Sequence, residues 1–176
     1  MRPIFETKLN KNNIYNVIKK YLESISQIIP SIISDNAINL FLKIKRENIG
    51  NGPYPNVTYF EAANRIMSDL VILYGIKDLL EEKYPQIIFP EYSVEYGNDS
   101  KNEYDIMAKN GNKTLIGEAF NVSPAFFQGK KSVSLKKLRK CNSDNTVKII
   151  MYNNDAVDIN YEPEIIKNEY HIKVKI

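Results

Sequence analysis

Two carboxylates, Asp105 and Glu118, stand on either side of the turn-forming triplet Asn110-Gly111-Asn112, with twelve residues between them. The flanking segments, 102–109 and 113–122, are short and rich in apolar or β-branched residues, so they read as the two strands of a hairpin. A two-residue loop at Gly111-Asn112 pairs Asn110 with Lys113 and sets Asp105 directly opposite Glu118. A loop at Asn110-Gly111 makes Glu118 the diagonal neighbour on the same face, and a three-residue loop reverses the facing. Directly opposed positions hold Cβ atoms about 4.5 to 5.5 Å apart, where like charges repel. A shared face therefore calls for something positive between the acids. A hard divalent cation such as Mg²⁺ suits the pair, because it takes carboxylate oxygens together with waters and substrate phosphates. Glu118 also interrupts an apolar strand, between Leu115-Ile116-Gly117 and Ala119-Phe120, where an unpartnered charge is costly.

The rest of the side-chain inventory narrows the chemistry. A single Cys141 and a single His171 exclude a disulfide framework, a cysteine-rich zinc site and most histidine-based triads. Carboxylates and lysines remain. Lys plus Arg number 24 and Asp plus Glu 21, a net charge of +3 that by itself identifies no polyanionic partner. Its distribution says more: GKKSVSLKKLRK carries Lys130, Lys131, Lys136, Lys137, Arg139 and Lys140 with no acid among them. The run is either a solvated helix face or a set of phosphate contacts.

The elements that must position these groups follow from periodicity. Ile14, Val17, Ile18, Tyr21, Leu22 and Ile25 form the stripe of a helix over 11–28 that Pro30 ends. Ser34 or Asp35 offers a cap for a second helix, with Ala37, Leu40, Phe41 and Ile44 on its apolar face. Thr58 and Glu61 make a capping box for a third, whose apolar face is Ala63, Ile66, Met67, Leu70, Val71 and Tyr74, with Gly75 as a possible interruption. Its other face carries Glu61, Asn64, Arg65, Ser68 and Asp69 as one polar stripe. Beyond Pro85 the period shortens to that of strands, at 87–96, 102–109, 113–122, 147–152 and 170–176, with the basic segment as a helix between the third and fourth. His171 alternates with Lys173 and Lys175 on what reads as a solvated strand face.

Helix, strand, strand with Asp, turn, strand with Glu, basic helix, strand: this order resembles the core of the PD-(D/E)xK nuclease superfamily. The segment EYDIMAKNGNKTLIGEAFNVS looks like its catalytic hairpin. Asp105 and Glu118 match the motif's two acids, and the helical start and small size look most like a type II restriction endonuclease. The resemblance implies an α/β fold with a restriction-endonuclease-like core, a mixed sheet of about five strands flanked by helices, and a helical N-terminal third. It covers roughly 58–152 of a single domain spanning 1–176, with 1–57 the helical part and 153–176 a C-terminal strand. No proline precedes Asp105, and Phe120 stands where the motif has its lysine. In this superfamily the following helix often supplies that cation, which makes Lys130 and Lys131 the candidates, with the Gln128 amide beside them. Glu61 resembles the additional metal-binding acid that some members carry on the preceding helix.

The expectation is a Mg²⁺-dependent endonuclease acting on specific duplex DNA, with Asp105, Glu118 and Glu61 on the metal and Lys136, Lys137, Arg139 and Lys140 on backbone phosphates. Two-fold DNA sites favour a homodimer, and a restriction enzyme implies a DNA methyltransferase as genetic partner. The alternative is a nuclease-fold protein that has lost its chemistry and binds nucleic acid in a regulatory or defence role. With no leader-like start and no long apolar run, a cytoplasmic protein with no membrane association is expected.

Overall fold

Ile14, Val17, Ile18 and Tyr21 form the buried stripe of α1 (Ile14–Ser26), as their spacing requires. The computed structural model describes residues 3–28, 36–97, 102–164 and 166–176. α2 (Ala37–Arg46) starts at Asn36, whose side chain accepts the Asn39 N–H; Ser34 and Asp35, expected as caps, lie outside the described residues, as does Pro30. None of the residues of α2 is buried, and Phe41, expected on its inner face, is 66% exposed. α3 (Tyr59–Leu80) opens at Thr58, whose hydroxyl accepts the Glu61 N–H. Its second half is apolar on nearly every side because it lies between the sheet and α1. Gly75 does not interrupt it; the helix continues, and a Cβ there would overlap Met151 Sδ.

The chain is α/β, with one mixed sheet of six strands in sequence order: β1 (Lys8–Asn10), β2 (Glu91–Val94), β3 (Ile106–Asn110), β4 (Lys113–Phe120), β5 (Thr146–Asn153) and β6 (Glu169–Val174). The sixth strand, β1, was not expected; three residues are too few to show a period. β1 to β4 pair antiparallel, whereas β4, β5 and β6 run parallel. Parallel neighbours need crossovers. α4 (Pro124–Leu138) supplies the first, and a segment containing one 3-10 turn, Asn154–Ala156, supplies the second.

Strand parity divides the sheet between two cores. Leu115, Ala119, Ile149, Met151, Ile172 and Val174 pack on the side of α1 and α3. Ile116, Phe120, Ile150 and Tyr152 pack on the other side, against Phe127, Leu135 and Leu138 of α4. Asn153 joins the two strands that α4 connects: its side-chain amide donates to the Val122 carbonyl and accepts the Val122 N–H, both at 2.9 Å.

The buried Asp69 of α3 ties the N-terminal helices to the sheet. Its Oδ2 accepts the hydroxyls of Tyr21 and Tyr54, and its Oδ1 accepts the Gly97 N–H at 2.9 Å. Burial, reinforced by the Asp69 charge, pushes the Tyr21 hydroxyl far above its ordinary pKa, so it stays a donor. Asp69→Ala removes the shared acceptor of two tyrosine hydroxyls and a backbone N–H, and should cost about 2–5 kcal/mol of unfolding free energy in urea titration. A loss below about 0.5 kcal/mol, the range of an ordinary surface substitution, would show that the network is not structural.

Candidate active site

The turn between β3 and β4 decides where the acids stand. Asn110 pairs with Lys113 and Ile106 with Gly117, leaving Gly111-Asn112 as a two-residue loop. Gly111, at φ +57°, takes the left-handed position that a II′ turn reserves for glycine. Continued one step beyond Ile106 and Gly117, this register sets Asp105 opposite Glu118, and both side chains line one cleft. The Glu95 N–H donates to the Asp105 carbonyl at 2.9 Å, so the β2–β3 ladder continues through the acid.

The carboxylates are held where they stand. Asp105 Oδ2 accepts the Ala119 N–H at 2.9 Å, across the strand pair. Glu118, with 11% of its side chain exposed, accepts from Lys137 of α4, Nζ to Oε1 at 2.7 Å. Burial pushes both carboxyls above the usual carboxylate range. For Glu118 the Asp105 charge adds to the rise, while Lys137 and Lys130 work against it. For Asp105 the Ala119 N–H and the same two lysines oppose the effect of burial.

These groups line one cleft of about 450 Å³ at the carboxyl end of β4, closed on one side by the polar stripe of α3 and on the other by Lys130 and Lys137. Such a position, beside the carboxyl end of a strand in a parallel pair, is where α/β sheets present their ligand crevices. Glu61 lines the same cleft, but its Oε1 pairs with Arg65 Nη2 at 2.6 Å. The expected third ligand does not join the other two: among the described residues no three His, Cys, Asp or Glu side chains gather as a metal-binding group. Asp105 and Glu118 alone still suit Mg²⁺, which is commonly held by one or two carboxylates and completes its shell with waters and phosphate oxygens.

Helix geometry separates the residues of the basic run. Consecutive side chains on an α-helix point 100° apart, whereas residues seven apart share a face. Lys130 and Lys137 accordingly line the acid cleft together, with Lys130 Nζ 5.9 Å from the Phe120 ring centroid. Lys131 faces the other flank, where its Nζ meets Tyr161 Oη at 3.2 Å and lies over the Phe127 ring. It therefore does not supply a cation to the acid cleft, as the resemblance had suggested, and Gln128 lies on that flank too. Lys137, expected on a phosphate, is instead paired with Glu118. Arg139, also expected on a phosphate, forks onto buried Glu169 with two bonds of 2.8 Å. Lys136 and Lys140 remain exposed on the outer face.

The position where the resemblance would place a lysine is closed. Phe120 is 2% exposed and stacks on Tyr152 with centroids 6.0 Å apart, so that side chain is core. His171 is also not on a solvated face. Its side chain is 5% exposed, 3.7 Å from Glu169 and edge-on to Tyr152. Burial holds its pKa below the ordinary histidine value.

No family of known proteins matches this chain, and neither a curated protein nor a solved structure does. No helix among the described residues is long and apolar enough to cross a membrane.

Two raised carboxyls make a pH prediction. A carboxyl whose pKa is higher in the folded chain binds its proton more tightly there, so its contribution to stability is present at low pH and is lost as pH rises through the folded value. Asp105→Asn keeps an acceptor for the Ala119 N–H and removes the charge. It should raise Tm at neutral pH by about 2–4 °C, the shift about 1 kcal/mol produces in a chain of this size. The gain should vanish below the ordinary carboxylate pKa, where the wild-type group is already protonated. A lower Tm at neutral pH in calorimetry would contradict the placement of an unneutralised charge here.

Proposed function

We propose that this chain is a Mg²⁺-dependent DNA endonuclease with a restriction-endonuclease-like core, of the type II kind that cleaves specific duplex DNA. The observation that carries the reading is the opposed pair Asp105 and Glu118 in one cleft with two lysines of the following helix. The order α3, β2, β3, β4, α4, β5 supports it as well, being the element order the resemblance implies. A metal bound by the two carboxylates would supply a water of lowered pKa and offset charge on the phosphate.

The chain's own groups do the rest. Asp105 and Glu118 hold their oxygens on one side of a rigid strand pair, which fixes the reacting geometry at low entropic cost. Lys130 stands opposite them with its ammonium in the cleft, where it can hold a phosphate oxygen or a water. Burial of Phe120 supports the second reading, a nuclease-fold protein that binds nucleic acid without cutting it, because the usual lysine position is filled by core. In the first reading a homodimer cuts both strands in the cytoplasm, and a methyltransferase protects the host sites.

Plasmid cleavage with and without Mg²⁺ separates the two. Wild type should cut only with the metal, and Asp105→Ala should lose orders of magnitude in rate. Lys130→Met should lose cleavage while keeping most DNA affinity, since one phosphate contact is a small part of binding. Wild type that binds DNA and Mg²⁺ yet never cuts under varied sequences and metals would establish the non-catalytic reading. Cleavage by Asp105→Ala at the wild-type rate would remove this site from the account.

Because α4 directs its cations in different directions, their removal should have unlike effects. Lys136→Ala with Lys140→Ala should weaken duplex binding and flatten its salt dependence by up to about two phosphate contacts. Arg139→Ala should act on folding, costing about 2–5 kcal/mol by leaving buried Glu169 with only the His171 imidazole beside it among the described residues. Equal losses of DNA affinity in both variants, with Tm unchanged, would show that Arg139 belongs to the DNA surface after all.

A further inference from the structure

The Glu118–Lys137 ion pair holds more than a resting charge balance. Glu118 sits on a central strand with 11% of its side chain exposed, so it cannot turn to water for solvation. Asp105 cannot turn away either, because its Oδ2 is tied to the Ala119 N–H. Lys137 is different: 40% of its side chain is exposed, and its long stem lets the ammonium leave without moving the helix. One ammonium also cannot neutralise two facing carboxylates, whereas a divalent cation can. Lys130, two turns away on the same helix face, lines the same cleft without a hydrogen bond or ion pair to either acid among the described residues.

We infer that the Lys137 ammonium holds on Glu118 the place that a divalent cation takes, so that the two compete and metal loading frees Lys137 for a phosphate oxygen. The inference rests on the proposed metal site and assigns Lys137 as a positioning residue in it. The empty cleft keeps its buried carboxylate paired, which avoids the cost of an isolated buried charge. The loaded cleft gains a cation at the position where a polyanion must enter.

Calorimetric titration with MnCl₂ tests this on wild type, Lys137→Met, Lys130→Met and Asp105→Asn. Lys137→Met should bind Mn²⁺ up to about fivefold more tightly than wild type, because the competing ammonium is gone. Lys130→Met removes an equal charge without a contact and should give a clearly smaller gain. Equal gains in the two lysine variants, or weaker binding in Lys137→Met, would overturn the competition while leaving the metal site standing. Wild type that takes up no Mn²⁺, or that takes it up as well after Asp105→Asn, would instead overturn the metal site itself. A second measurement needs no variant. In NMR of the wild type, the Lys137 ammonium signal should shift and exchange faster with water at saturating Mg²⁺, and an unchanged signal would refute its displacement.

Discussion

Two like charges face each other across a strand pair, and that constraint organises this end of the molecule. Neither Asp105 nor Glu118 can relax by rotating the backbone, because β3 and β4 are locked in register by a two-residue turn with Gly111 in the left-handed region. The repulsion must then be met by whatever packs above them. Above them is α4, which brings Lys137 within 2.7 Å of Glu118 and Lys130 into the same cleft. What remains unneutralised is visible in both carboxyls, raised by burial and, at Glu118, by the neighbouring acid. Natural sheets rarely keep such a pair without a use for it, and strained electrostatics of this kind concentrates at functional sites.

The helix that answers this constraint also distributes its charges. Its buried face is built from Phe127, Leu135 and Leu138, which fixes its rotation over the sheet. Once that rotation is fixed, the run of six cations divides between two clefts, Lys130 and Lys137 in one and Lys131, Lys136, Arg139 and Lys140 in the other. Lys130 and Lys137 turn to the acids, Lys131 to Tyr161 and Arg139 to Glu169, while Lys136 and Lys140 look outward. Asn153 secures the start of this arrangement by clamping Val122, where the chain leaves β4 for α4. Of the four cations in the second cleft, Arg139 is tied to Glu169 and Lys131 to Tyr161, which leaves Lys136 and Lys140 exposed there.

What could be read from the residues alone is what depends on local geometry. A strand period of two and a tight turn determine which side chains face each other, so the relation between Asp105 and Glu118 was legible before any tertiary contact was known. The polar stripe of α3 was legible in part: Glu61, Asn64, Arg65 and Ser68 line the cleft, whereas Asp69 is buried against Tyr21 and Tyr54, and Ala63, expected on the apolar face, is exposed. What was not legible depends on which surface covers which. Phe41 has the right spacing for a core position yet is exposed, because α2 rests on the body with none of its residues fully covered. His171 has the alternation of a solvated strand yet is 5% exposed, packed against Tyr152 and Glu169. The partners of Lys137, Arg139 and Asn153 lie 19, 30 and 31 residues away, beyond the reach of any pattern in the run itself.

The proposed chemistry requires that the Asp105 and Glu118 carboxylates hold a divalent cation. The most direct measurement is a crystal soaked in MnCl₂ and recorded at a wavelength where manganese scatters anomalously. The account predicts one ordered anomalous peak between the Asp105 and Glu118 carboxylates, with oxygen distances of about 2.0–2.3 Å. A map with no peak there at millimolar Mn²⁺, or with its peak at other side chains, would contradict it.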